Sequence, residues 1–207
     1  MTKPRVLVAT SNPGKLRDFA AAAEVHGITI ASVPNFSSLL QVVEDGATFE
    51  ANARKKAEAY SLAAPGELVL ADDSGLEVDA LGGAPGVHSA RYADEKLHLV
   101  DRNADGANNA RLLRELKDVP VEKRGARFVC VLAAARGGRT VATFRGEAEG
   151  IMLDAPRGED GFGYDPLFYL PHIGKTFAEL TAVEKTQYSH RGAAIREFLE
   201  WLDAGRA

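Results

Sequence analysis

Apolar positions in the first third of the chain switch between continuous runs and helical spacing. Residues 5–10 form a short apolar, β-branched run, the pattern of a buried strand. Over 13–26, Leu16, Phe19, Ala20 and Ala23 recur at the spacing of one helix face. Residues 28–33 alternate well enough for a second strand, so the chain opens as strand, helix, strand. Residues 47–63, rich in Ala, Glu and Lys, predict a longer helix with Phe49, Ala53, Ala57 and Tyr60 on its apolar side. Residues 68–71 read as a third buried strand, and 75–90, broken by Gly82, Gly83 and Gly86, as a loop or hairpin. A helical pattern covers 107–117. Two long strands, 126–135 and 139–149, meet at Arg136-Gly137-Gly138-Arg139, a hairpin signal. Ile195, Phe198, Leu199 and Leu202 mark an amphipathic helix over 192–203. The reading is one α/β unit with a mixed sheet, since a long hairpin does not belong in a purely parallel, doubly wound one.

Composition narrows the function classes. The chain has 207 residues, 45% apolar and 26% charged, which excludes a disordered chain and allows one sizeable core. A net charge of −4 carries no basic excess, so no nucleic-acid partner is expected. The single cysteine rules out a disulfide framework and a cysteine zinc site, and Cys130 in Phe128-Val129-Cys130-Val131-Leu132 reads as a small buried hydrophobe. No run approaches a membrane span and no long apolar segment opens the chain, so no membrane partner and a cytoplasmic location are expected.

Five segments carry candidate chemistry. Thr10-Ser11-Asn12-Pro13-Gly14-Lys15 ends like a phosphate-binding loop, but it lacks the first Walker glycine, and Leu16 stands where Ser or Thr would follow. Pro13 suits the first helical position, with Ser11 or Asn12 as cap. Such a turn is either a plain cap with a solvated lysine or an anion site formed by free N–H groups and the helix dipole. Asp72-Asp73-Ser74-Gly75 at the end of a buried strand is either a turn or a place for Mg²⁺. Asn52 and Lys56, one turn apart, lie beside the apolar side of their helix, where the lysine either snorkels or meets an anion. Gly161-Phe162-Gly163-Tyr164-Asp165-Pro166 is either a connector with a buried aromatic anchor or a loop that presents a ring to a planar ligand. Lys185, Ser189, His190 and Arg191 crowd the start of the last helix. A Ser-His nucleophile there lacks an elbow motif and an orienting third group.

In this order, with Phe49-Glu50, Asn52-Ala53, Lys56-Ala57, Leu81-Gly82-Gly83-Ala84-Pro85-Gly86-Val87 and Ser89-Ala90-Arg91-Tyr92 between them, the segments resemble the inosine triphosphate pyrophosphatase family, also called XTP/dITP diphosphatases, in its bacterial branch. The resemblance runs over nearly the whole chain. It implies a long, twisted, mixed sheet flanked by helices, one domain over 1–207 with two lobes and a central cleft, and a homodimer. It implies hydrolysis of ITP, dITP and XTP to the monophosphate and pyrophosphate, by Mg²⁺-assisted attack of water on the α-phosphorus. By the same resemblance Thr10, Ser11, Asn12, Pro13, Gly14 and Lys15 bind the triphosphate and Lys56 adds a contact. Asp73 is proton acceptor and metal ligand, Glu44 a second metal position, and Ser74 a substrate contact. Phe162, Gly163, Tyr164 and Asp165 match the nucleoside loop, and Lys185, His190 and Arg191 match contacts around the base. Asp72 remains an alternative base, although on a regular strand it faces away from Asp73.

Overall fold

The computed structural model describes residues 5–93 and 104–205. Seven strands form one mixed sheet in the order β2-β1-β3-β4-β5-β6-β7. They are β1 (Arg5–Val8), β2 (Thr29–Ser32), β3 (Val69–Val78), β4 (Gly125–Arg136), β5 (Arg139–Met152), β6 (Phe168–Leu170) and β7 (Lys175–Thr176). The helices are α1 (Pro13–Val25), α2 (Phe49–Ser61), α3 (Ala104–Glu115), α4 (Ala182–Tyr188) and α5 (His190–Asp203). None of the described helices is long and apolar enough to cross a membrane. The chain divides into two compact units, the first made of 1–73, 130–147 and 186–207, the second of 74–129 and 148–185.

In the first unit β1 pairs in parallel with β2 on one side and β3 on the other. The chain therefore leaves β1 in one direction through α1 and returns past it through α2. Right-handed crossovers in opposite directions put these helices on opposite faces, and β1 marks the point where strand order reverses. Burial agrees. Val6, Val8, Leu68, Leu70, Cys130, Leu132 and Phe144 form one core with Phe19, Ala22 and Ala23 of α1 and Ile195, Phe198 and Leu199 of α5. Burial pushes the Cys130 thiol up to about 12, which leaves it a packing residue. Val69 and Ala71, the alternate residues of β3, are equally buried and face the side of α2. On α2, Phe49, Ala53, Ala57 and Tyr60 are all buried, as their spacing predicts. On α1 the buried line is Phe19, Ala22 and Ala23 while Ala20 is exposed, because α1 packs on α5 and β2 and an alanine has little apolar surface to fix the edge of the stripe. Gly146 of β5 lets α5 lie close: a Cβ there would collide with the His190 carbonyl and the Ala194 N–H.

Most element ends shift by one to three residues from the sequence reading, and two of the shifts bear on the candidate site. β1 stops at Val8, since the Thr10 hydroxyl accepts from the Asn12 N–H and bends the chain into the cap of α1. β3 runs on for ten residues, straight through Asp72-Asp73-Ser74-Gly75. The two carboxylates are therefore mid-strand, not in a turn, and each meets a cation on its own face of the sheet. The β4–β5 hairpin closes at Gly137 and Gly138, whose φ values of 57° and 80° suit the two-residue turn that matches strand twist.

In the second unit Phe128, Phe168 and Phe177 pack with ring centroids 4.8 to 5.4 Å apart. Short strands β6 and β7 and the 3-10 turns after β3 fall in stretches too brief to show a period in the sequence.

Candidate active site

The C-terminal end of β1, the start of α1 and one face of α2 surround a pocket of about 270 Å³ in the first unit. Thr10, Ser11, Lys15, Glu44, Lys56 and Asp72 line it, with Phe36, Leu39, Val42 and Tyr60 as its apolar part. A pocket outside the carboxyl ends of parallel strands, at the reversal of strand order, is where open α/β sheets bind ligands.

The first turn of α1 satisfies its own N–H groups. Asn12 is the cap, and its Oδ1 accepts from the N–H of Gly14 at 2.8 Å and of Lys15 at 3.2 Å. Pro13 has no N–H, and that of Asn12 goes to Thr10. The N–H groups of Gly14 and Lys15 at the helix start are taken, so what this helix terminus itself offers an anion is the Lys15 side chain and the dipole of α1. Lys15, in the first turn, meets an internal anion: its Nζ lies 2.8 Å from Asp72 Oδ2.

Alternation along β3 separates the two aspartates. Asp72 faces α1 and α5, where it meets Lys15 and, at 3.6 Å, the Arg191 guanidinium, which also holds Asp18 at 3.0 Å. Burial alone would raise the Asp72 carboxyl, but Lys15 and Arg191, with Lys56, outweigh it and hold it well below the usual carboxylate range. Asp73 faces α2, where Asn52 Nδ2 donates to its Oδ2 at 2.9 Å and Lys56 Nζ lies 3.7 Å from its Oδ1. Here burial wins: it pushes Asp73 up to about 6 against the pull of Lys56 and Asn52, helped by the neighbouring charges of Glu44 and Asp72. Lys56 also reaches Glu44 Oε2 at 2.8 Å, so one ammonium stands between two carboxylates. Burial would lower the Lys56 ammonium, but Asp72, Asp73 and Glu44 together raise it, and it stays charged. Among the described residues no group of three His, Cys, Asp or Glu side chains forms a metal cage.

Sequence reasoning placed most of these residues together. It noticed Asn52 without giving it a role, and it missed Asp18 and the apolar pocket wall from 36 to 42. The spacing of Asn52 and Lys56 was the available signal for the first; nothing local marks the others. Ser74 follows Asp73 in β3 at intermediate exposure. Ser189 caps α5 by accepting from the Gly192 N–H, as a structural serine does, and His190 is buried in the first turn of that helix.

The second unit builds a different surface. The two aromatics of its glycine loop differ in exposure. Tyr164 is the buried anchor, its hydroxyl donating to the Ser89 carbonyl at 2.8 Å, while Phe162 is 42% exposed. Lys185 Nζ lies 2.6 Å from Asp165 Oδ2 and 5.5 Å from the Phe162 ring centre. Asp165 also accepts the Phe162 N–H at 3.0 Å. From α3, Asn109 donates to the Gly163 carbonyl at 3.0 Å and Asp105 accepts the Gly163 N–H at 2.8 Å, so the glycine is held on both sides.

Known proteins resemble this chain over nearly its whole length. A relative from Geobacillus kaustophilus, named dITP/XTP pyrophosphatase, is 52% identical over 197 residues, covering 94% of this chain and 92% of its own. One of the same name from Thermus thermophilus is 48% identical over 196 residues, covering 95% and 90%. The solved structure of the Staphylococcus aureus Ham1 protein superposes with a TM-score of 0.82 at 38% identity, covering 97% of this chain and 99% of that one. The family model described as the Ham1 family matches residues 6–201, and the chain belongs to that family.

Proposed function

We propose that the protein hydrolyses the non-standard purine nucleotides dITP, ITP and XTP to the nucleoside monophosphate and pyrophosphate, clearing deaminated purines from the nucleotide pool. One observation carries the reading: Lys15, Lys56, Glu44 and Asp72 line a single pocket, with Asp73 3.7 Å behind the Lys56 ammonium, in a chain about half identical to proteins named dITP/XTP pyrophosphatase. Two lysines suit a polyanion, and an acceptor carboxylate suits hydrolysis by water.

In this reading Thr10 to Lys15 and Lys56 bind the triphosphate. Water attacks the α-phosphorus, the bond to the bridging oxygen breaks, pyrophosphate leaves, and the water proton passes to Asp73. Asp72 is a poor acceptor because Lys15 and Arg191 keep it ionised and engaged. Arg191 is assigned to holding Asp72. Mg²⁺ is the proposed cofactor, and Glu44 and Asp73 fit it: both already present carboxylate oxygens to one shared cation, the Lys56 ammonium. When bound, Mg²⁺ would neutralise charge on the phosphate oxygens. Ser74 is proposed as a further substrate contact. For the base, Phe162 offers an exposed ring for stacking, Gly163, Tyr164 and Asp165 shape its loop, and Lys185 and His190 are the proposed polar contacts. A donor aimed at the oxygen on C6 of inosine or xanthine rejects the amine of adenine. The proposal includes a homodimer, to be read as twice the chain mass by light scattering, and a cytoplasmic location beside the nucleotide pool.

The test is a substrate panel. With Mg²⁺, dITP is expected to turn over about 10²-fold or more faster than dATP, with pyrophosphate as product. Release of orthophosphate, or equal use of dATP, refutes the reading.

A further inference from the structure

Asn52 is buried to 1% exposure inside α2, where asparagine is a poor helix former and local backbone bonding is its usual habit. Its amide bonds outward at both ends instead. Oδ1 accepts the Gly46 N–H at 2.7 Å, and Nδ2 donates to Asp73 Oδ2 at 2.9 Å. A backbone N–H only donates, so Gly46 fixes which end of the amide faces it, and the other end must offer a donor to Asp73. Gly46 lies two residues after Glu44, in the turn leading into α2. A Cβ on Gly46 would stand 2.6 Å from Asn52 Oδ1 and 2.9 Å from Ala51 Cβ, so the approach depends on the missing side chain. One helical turn on, Lys56 spans the same two elements, reaching Glu44 at 2.8 Å and Asp73 at 3.7 Å.

We infer that Asn52 is a positioning residue: with Gly46 as its partner, it locks the turn that carries Glu44 to the Asp73 carboxylate, so that two carboxylates from distant parts of the chain face one cation. The inference rests on the proposed pyrophosphatase reading for its kinetic consequence and on geometry alone for its metal consequence. Asn52 itself need touch neither substrate nor metal.

The test uses Asn52→Ala and Gly46→Ala, each confirmed as folded by circular dichroism. Two quantities are read: kcat and KM for dITP at saturating Mg²⁺, and binding of Mn²⁺ alone, without nucleotide, by electron paramagnetic resonance. Support for an orienting partner of this kind is kcat lower by about 10–100-fold with KM within about twofold, and Mn²⁺ bound about 10-fold more weakly, in every folded variant. Any other combination in a folded variant overturns the inference, including lost turnover with Mn²⁺ binding intact. Gly46→Ala decides alone where Asn52→Ala does not fold, because Gly46 lies in a partly exposed turn. If wild-type protein releases no pyrophosphate from dITP, the functional reading falls, and the Mn²⁺ measurement still judges the positioning role.

Discussion

Asp73→Asn is expected to lower turnover of dITP by about 10²–10⁴-fold, the range spanned by loss of a general base, and at the same time to make the metal-free protein more stable. Both effects come from one placement. Asp73 is buried beside Glu44 and Asp72, and burial raises its carboxyl to about 6 from the ordinary 3.8. A carboxyl raised in the folded state binds protons more tightly there than in the unfolded chain. Stability therefore falls as pH rises through the window from about 4 to about 6, and stays reduced above it. At neutral pH the ionised side chain costs roughly 1–3 kcal/mol. An amide carries no such cost, and its oxygen still accepts from Asn52 Nδ2. The variant's melting temperature in EDTA should exceed wild type by about 2–4 °C for each kcal/mol gained. The gap should be full at pH 7 and shrink towards pH 4. A gap that is absent at pH 7, or larger at pH 4, contradicts the burial argument. Near-normal turnover removes Asp73 from the chemistry. Added Mg²⁺ should stabilise wild type more than the variant, because the charge that burial makes costly is the charge that attracts the cation.

Much of this site was legible because its signals are local. Pro13 after Asn12 announces a capped helix, and Asn12 is that cap. The alternation of β3 already separates Asp72 from Asp73, and the helical spacing of Asn52 and Lys56 already puts them on one face. The cations that neutralise the two aspartates were not legible. They come from α1, α2 and α5, and no local pattern tells a lysine beside an apolar stripe whether it snorkels to water or meets a carboxylate. The same gap explains the wrong end assigned to the third strand. Two consecutive aspartates and Ser-Gly look like a turn until Lys15, Arg191 and Lys56 make them tolerable inside a sheet. At the phosphate turn the helix-start N–H groups of Gly14 and Lys15 were expected free, and Asn12 is placed to accept both.

Asp72→Asn should act on stability with the opposite sign to Asp73→Asn, although the two residues are adjacent. Asp72 is 2% exposed and the facing Arg191 4%. Removing one member of a buried ion group leaves the other charged and desolvated, which costs about 3–5 kcal/mol. Asp18 limits the loss, since it holds Arg191 at 3.0 Å from a half-exposed position, and Lys15 has some access to water. The pH dependence is again signed. A carboxyl held low in the folded state contributes stability above its unfolded value of 3.8, and loses that contribution as pH falls below it. The difference between wild type and Asp72→Asn should thus be full at pH 7 and narrow in acid below about pH 4. A double-mutant cycle with Arg191→Met isolates the pair: if the two face each other as described, the double variant should recover about 1–3 kcal/mol relative to the sum of the singles. Strict additivity would falsify the assignment of Arg191 to Asp72 and return the arginine to the base. On that outcome, Arg191→Met should instead raise KM for dITP and relax the discrimination against dATP.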